Sequence, residues 1–135
     1  DGNLKQTYIT KIKELKLESY IKILPPKKEV EDYYKEASLF LLTSQSEGFG
    51  MVILEAMSFG LPCVSYDCPS GPRDMVENSK TGYLVPFDHF EELEKSTLDL
   101  LQNPQKVKEF GENAFEASNN WNDEFILEKW KKILN

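Results

Sequence analysis

Two glutamates on either side of a glycine-containing turn are the residues best suited to chemistry. Glu47 precedes the turn Gly48-Phe49-Gly50, and Glu55 lies inside the helix predicted to follow it. Glycines at a strand-to-helix turn let backbone N–H groups and the positive end of the helix dipole face a phosphate. Glu55 would lie roughly 6 to 8 Å from the start of that helix, where it could accept hydrogen bonds from ribose hydroxyls. The pattern predicts a diphosphate site without basic side chains, with Glu47 facing whatever the diphosphate carries.

An ordinary structural explanation is also open for both carboxylates. Glu47 could be a first-turn acid that interacts with the helix dipole, and Glu55 a common helix carboxylate. The residues around Glu55 are apolar, which predicts a helix buried on several faces and a partly buried Glu55. These neighbours are Ile53, Leu54, Ala56 and Met57. The expected burial favours the binding role.

Hydrophobic patterning predicts short strands that alternate with helices around this segment. Strands are predicted at residues 20–24, 39–42, 63–66 and 83–86, and helices at residues 4–17, 30–37, 51–59, 73–77 and from 88 onward. The continuous apolar run at 39–42 predicts a strand covered on both faces. The pattern favours a Rossmann-like α/β fold, a parallel sheet flanked by helices, with a helical tail at residues 118–135. The loops after Leu24, Leu42 and Tyr66 are then expected at one edge, where such sheets bind ligands.

Composition excludes several classes of function. The net charge of −7, from 16 Lys and Arg against 23 Asp and Glu, opposes binding to nucleic acid or anionic lipid. Cys63 and Cys68 fit neither a zinc pattern nor a disulfide framework, so we expect both thiols to pack in a reduced, cytoplasmic protein. Trp121 and Trp130 are likewise predicted to be packing anchors. No apolar run reaches the length of a membrane span, and no signal peptide is evident.

The motif and its flanks resemble a known family. The segment E-G-F-G-M-V-I-L-E-A resembles the Glu-x7-Glu signature of glycosyltransferase family 4, which comprises retaining nucleotide-sugar enzymes with the two-domain GT-B fold. The flanking segments A-S-L-F-L-L-T-S, S-F-G-L-P-C-V-S and V-E-N-S-K-T-G-Y-L-V also resemble that family. Nearly the whole chain from Leu4 onward fits, and residues 39–85 are the most specific part.

The resemblance assigns roles to individual residues. It implies that Glu55 binds the ribose hydroxyls and that Glu47 contacts the donor sugar near the reacting centre, as the candidate catalytic residue. The phosphate and sugar site would be lined through backbone N–H groups by Gly48, Phe49, Gly50, Met51 and Val52. Arg73, in a predicted rim loop, is a further candidate for donor binding, or else a simple first-turn partner of Asp74. No metal ligands are expected.

The resemblance also implies a function. We expect residues 1–135 to form a single nucleotide-sugar-binding domain, truncated at its N-terminus, from the C-terminal half of a retaining glycosyltransferase. The enzyme would transfer a hexose or hexosamine, with UDP as the favoured carrier, to a glycan or lipid-linked acceptor in bacterial surface polysaccharide synthesis. The acceptor would bind through an N-terminal domain, and the isolated chain is expected to be inactive.

Further expectations and alternatives accompany this interpretation. No cofactor is expected, and the enzyme is predicted to be cytoplasmic, with peripheral association at the inner face of the plasma membrane left open. The loop at residues 66–74 departs from the commonest family pattern and resembles a subset associated with bacterial capsule and O-antigen sugars. A non-catalytic sugar-nucleotide-binding subunit and a GT-B nucleotide-sugar epimerase remain alternatives.

Overall fold

A three-stranded parallel sheet forms the centre of the protein. The computed structural model describes residues 2–134, apart from the side chains of residues 123, 125 and 129. The strands, in their order across the sheet, are β1 (Phe40–Leu42), β2 (Cys63–Tyr66) and β3 (Gly82–Val85). Both strand pairs are parallel, so the carboxyl ends of all three strands meet at one edge. The predicted α/β class with a parallel sheet is confirmed.

Helices connect and follow the strands. They are α1 (Lys5–Glu14), α2 (Glu31–Glu36), α3 (Met51–Ser58), α4 (Pro72–Met75), α5 (Phe90–Leu101), α6 (Pro104–Ser118) and α7 (Asp123–Leu134), with a 3₁₀ turn at Asn119–Trp121. Because α3 joins β1 to β2 and α4 joins β2 to β3, the sheet is built from two successive βαβ connections. Within residues 2–134, no helix combines the length and the apolar character that crossing a membrane requires.

The core lies on both faces of β2. Side chains of a strand alternate between the faces of a sheet, and Cys63 packs with Ile53 and Met57 of α3. Val64 and Tyr66 pack on the other face, against α5 and α6, through Leu93, Leu100 and Phe110. All four residues of β2 are buried, as expected for a central parallel strand.

β1 differs from the prediction that both of its faces would be covered. Phe40 and Leu42 pack against the core that contains α3, but Leu41, between them, is 44% exposed. The reason is topological, because β1 is an edge strand of the described sheet and the alternate face at Leu41 has little cover there.

The chain divides into two compact units, the first ending at Glu31 and the second beginning at Asp32. The first unit contains α1, and the strand predicted at residues 20–24 is absent from it. Instead, the N–H groups of Tyr20 and Ile21 donate to the Leu17 carbonyl at 3.0 and 2.9 Å, closing a turn. A strand needs a hydrogen-bonded neighbour, and within the described chain no strand pairs with this segment. The position of the loop after Leu24 and the single domain over 1–135 stay predictions, and residues 1 and 135 lie outside the described residues.

Candidate functional site

The loops after β1 and β2 pack directly against each other at the carboxyl edge of the sheet. Gly50 is buried with a φ of +81°, and Gly71 is buried with a φ of +122°. A Cβ atom added at Gly71 would collide with the carbonyl oxygen of Phe49, and one added at Gly50 would lie 3.5 Å from the Gly71 Cα. Only glycine combines a left-handed φ with so close an approach of two backbones. The predicted meeting of these two loops is confirmed.

The N-terminus of α3 faces this edge. Gly50 is its N-cap residue, no described side chain caps it, and its first turn contains no acidic residue. The first N–H groups of any helix have no intrahelical partner, and they carry the positive end of the helix dipole. Met51 is 56% and Val52 38% exposed. The first turn is therefore an accessible, positively polarised surface.

Glu47 lies on the loop before α3 and is half-buried. It lies near Cys68, just beyond β2. Burial first, and then the negative charge of Glu47, raise the pKa of the Cys68 thiol. Cys68 is 1% exposed, so its neutral thiol packs between the two loops as expected. Glu47 therefore lies beside the loop that follows β2.

Glu55 is exposed, so the prediction of its partial burial is wrong. The buried residues of α3 are Ile53, Ala56 and Met57, which occupy one face of the helix although most of its residues are apolar. Glu55 lies on another face, where its Oε2 accepts a hydrogen bond of 3.0 Å from the Tyr34 hydroxyl. It is the fifth residue of α3, about one turn from the helix start, as the sequence predicted.

Phe49 connects the glycine-containing turn to the C-terminal part of the chain. Its ring contacts the ring of Trp121 edge-to-face, with centroids 5.6 Å apart. Trp121 is thus the packing anchor that was predicted, whereas Trp130 is 57% exposed and is not one in the described chain.

Arg73 lies in α4 on the loop after β2, and its partner differs from the predicted one. Its Nε and Nη2 donate to the two carboxylate oxygens of Asp67 at 2.8 and 3.1 Å. Asp74, the expected first-turn partner, instead accepts the N–H of Gly71 at 3.3 Å. The pair with Asp67 forms because the planar guanidinium fits a carboxylate in this two-point geometry.

The structure thus brings the turn before α3 and Arg73 to one edge of the sheet, places Glu55 about one turn into α3, and adds other residues that sequence reasoning missed. Tyr34 and Gly71 were not singled out, although the polar end of a tyrosine in an apolar stripe signals a need for a partner. Among the described side chains, no three His, Cys, Asp or Glu residues cluster as a metal site would require. Metal independence itself stays a prediction.

Residues 1–117 match the family described as Glycosyl transferases group 1. The chain belongs to this family. The match includes both glutamates, the turn between them and Arg73, so every predicted site residue of this group 1 glycosyltransferase chain lies within the family region.

The curated relatives include bacterial glycosyltransferases. The amylovoran biosynthesis glycosyltransferase AmsD of Erwinia amylovora is 33% identical over 100% of this chain and 38% of its own length. The poly(ribitol-phosphate) alpha-N-acetylglucosaminyltransferase of Staphylococcus aureus is 32% identical over 100% of this chain and 28% of its own length. The chain therefore spans about a third of these relatives.

Solved structures have the same fold over the whole chain. TarM of S. aureus superposes with a TM-score of 0.90 at 30% identity, over 99% of this chain and 27% of that one. HepE of Anabaena, solved in complex with UDP, superposes with a TM-score of 0.84 at 27% identity, over 98% of this chain and 38% of that one. The described fold is thus the corresponding portion of a GT-B glycosyltransferase.

Proposed function

We propose that this chain supplies the donor-binding portion of a retaining glycosyltransferase, the full-length enzyme. The enzyme transfers a hexose or hexosamine from a UDP-linked sugar to a glycan or lipid-linked acceptor in bacterial surface polysaccharide synthesis, and UDP is released. One observation carries the proposal. The first turn of α3 has no side-chain cap among the described residues and lies at the edge where parallel sheets bind ligands, with Glu47 before it and Glu55 about one turn behind it.

The donor is bound in three parts. The diphosphate lies at the N-terminus of α3, on the backbone N–H groups of residues 48–52, because these groups and the helix dipole attract anions. The ribose lies beside Glu55, whose exposed carboxylate accepts hydrogen bonds from the two hydroxyls. The sugar lies toward Glu47. Arg73 is a secondary donor contact on the same rim, held in place by Asp67.

UDP is the favoured nucleotide carrier, because solved relatives contain it or its glucose conjugate. HepE was solved with UDP and with UDP-glucose, and the pneumococcal O-GlcNAc transferase GtfA, 28% identical, with UDP and GlcNAc. The acceptor belongs to the remainder of the full-length enzyme, since this chain spans about a third of its relatives. A growing surface polymer would bring that remainder to the inner face of the plasma membrane.

Catalysis rests on the departure of the diphosphate. Negative charge grows on the leaving phosphate as the glycosidic bond to it breaks, and N–H groups already aimed at that position stabilise the transition state more than the ground state. Glu47 orients the sugar and stabilises positive charge at the reacting carbon. We assign Glu47 no covalent role.

The proposal includes independence from divalent metal, because the end of α3 supplies the positive potential. We expect turnover of the full-length enzyme to be unchanged in excess EDTA. Loss of turnover in EDTA, with recovery on adding magnesium or manganese, would contradict this part.

The proposed function is tested by binding and product analysis on the full-length enzyme. UDP should raise its melting temperature more than GDP or ADP, because a ligand of the native state stabilises it by mass action. UDP-hexoses and UDP-hexosamines should then be screened with polymer acceptors, and the anomeric configuration of the product determined by NMR. Retained configuration is expected. Binding without turnover would indicate a non-catalytic subunit, an epimerised sugar nucleotide would indicate an epimerase, and absence of nucleotide binding would refute the proposal.

A further inference from the structure

Tyr34, on α2, makes a contact that no motif assigns. Its hydroxyl donates to Oε2 of Glu55 at 3.0 Å, although the two residues are 21 positions apart in the chain. Glu55 is exposed on its helix. An exposed glutamate ordinarily samples several rotamers, and ordering it costs conformational entropy. The hydroxyl of Tyr34 restricts this one before any ligand arrives.

The Tyr34 ring is fixed by packing, independently of that hydrogen bond. It stacks on Phe59 with centroids 5.5 Å apart and an interplanar angle of 27°, and it meets Phe40 edge-to-face at 6.3 Å. These contacts join it to the core beneath α3. The hydroxyl is therefore a donor whose position is set by the fold.

The protonation of Tyr34 suits this role. Burial first, and then the hydrogen bond to Glu55 and its negative charge, raise the pKa of Tyr34 to about 12. The phenol thus keeps its proton at neutral pH and donates to the carboxylate. An ionised carboxylate has roughly four acceptor positions on two oxygens, so Glu55 retains capacity for further donors.

We propose that Tyr34 is a positioning residue that holds the Glu55 carboxylate in the orientation that receives the ribose hydroxyls of the donor. This inference rests on the proposed ribose-binding role of Glu55. The ring packing provides the fixed point, and the 3.0 Å hydrogen bond transmits it to the carboxylate. Pre-ordering of this kind strengthens binding because less freedom is lost when the ligand arrives.

The variant Tyr34→Phe keeps the ring and removes only the hydroxyl. In the full-length enzyme, affinities for UDP and 2′-deoxy-UDP are measured by isothermal titration calorimetry, and folding is checked by circular dichroism. We expect UDP to bind about three- to tenfold more weakly. Binding of 2′-deoxy-UDP should be weakened less than binding of UDP, because it retains only one of the two hydroxyls that Glu55 receives. A general structural defect would weaken both ligands equally.

Tyr83→Phe is the matched control, because it removes a hydroxyl that donates to another carboxylate, Asp99, at 2.6 Å. It should leave both affinities unchanged. Tyr34→Phe should also have no further effect in a Glu55→Ala background.

The remaining outcomes separate this inference from the proposed function. If Glu55→Ala binds UDP like the wild type, the ribose assignment fails and the inference fails with it. If Glu55→Ala weakens UDP but Tyr34→Phe weakens neither ligand or both equally, only the positioning role is overturned. Selective loss of UDP affinity in Tyr34→Phe supports it.

Discussion

The two turns that lead from a strand into a helix at the carboxyl edge differ in whether an acidic residue lies in the first turn of the helix. At α4, the Asp74 carboxylate accepts the N–H of Gly71 at 3.3 Å. At α3, no described side chain caps the helix and the first turn has no acidic residue. Neither helix has a side-chain hydrogen bond from its N-cap residue. However, α4 carries its own carboxylate in the first turn, whereas the first turn of α3 leaves the positive end of the helix dipole for a ligand.

The two turns also have different structural roles. The loop after β2 is held by its own Arg73–Asp67 pair and is tied to β3 by the Asp67 N–H, which donates to the Val85 carbonyl at 2.7 Å. This loop then supports the glycine-containing turn through the contact of Gly71 with Phe49. The loop after β2 thus supports the turn before α3, whose first helical turn has no acid of its own.

The largest effect is expected from Gly71→Ala. The added Cβ would collide with the Phe49 carbonyl oxygen, and the φ of +122° is strained for any other residue. We expect a loss of about 1–3 kcal/mol or more in the free energy of unfolding, together with loss of UDP binding, since the first turn of α3 must shift. Urea denaturation and calorimetry measure the two effects.

Gly48→Ala is the matched control for stability. A Cβ at Gly48 would have nothing within 4 Å, so the free energy of unfolding should change by less than about 0.5 kcal/mol. Equal destabilisation by the two variants would show that the Gly71 contact does not support the turn.

The next effect separates the two glutamates across the uncapped turn. Glu47→Ala should slow turnover by about 100-fold, because it acts on charge at the reacting carbon, and should spare UDP affinity. Glu55→Ala should weaken UDP about tenfold or more, since it removes charge-assisted hydrogen bonds. Steady-state kinetics and calorimetry on folded full-length variants measure both quantities. Normal UDP binding by Glu55→Ala would make that carboxylate merely structural.

The sequence predicted much of this edge because its signals are local. The apolar run of β2, the helix that starts at Met51 and the turn between the glutamates are set by neighbouring residues, and all lie where they were predicted. The failures depend on partners distant in the chain. Apolar composition around Glu55 could not show which face of α3 is buried, and the β-rich run at 20–24 could not show whether a pairing strand exists.

The new contacts at the site have the same origin. Tyr34 meets Glu55 from a different helix, and Gly71 meets Phe49 across two loops. A single sequence contains no local signal for either contact, because each joins segments that are distant in the chain and meet only in the folded protein.

A smaller effect is expected when α3 is given the acid that α4 already has. In Met51→Glu, a carboxylate placed in the first turn would stabilise the helix by about 0.3–1 kcal/mol and repel the diphosphate. UDP affinity should fall about fivefold or more, while Met51→Gln, its neutral control, should affect affinity much less. If Met51→Glu binds UDP as well as Met51→Gln, the diphosphate does not lie at this helix end.

The smallest effect is expected at the Arg73–Asp67 pair, where Arg73 could either contact the donor or only fasten the loop. The Arg73 side chain is 59% exposed, so its electrostatic contribution is screened by water, and Arg73→Gln should weaken UDP binding by about threefold or less.

Asp67→Asn breaks the same ion pair but leaves the Arg73 cation on the rim, without the carboxylate that neutralises it. If Arg73 is a secondary donor contact, Asp67→Asn should therefore bind UDP at least as well as the wild type, and the advantage should shrink as salt is raised. If Arg73 only fastens the loop, the two variants lose the same interaction and should weaken UDP equally. Calorimetry of both variants at two ionic strengths distinguishes these results. An equal loss of UDP affinity would leave the positive end of the α3 dipole as the feature of the described site that attracts the diphosphate.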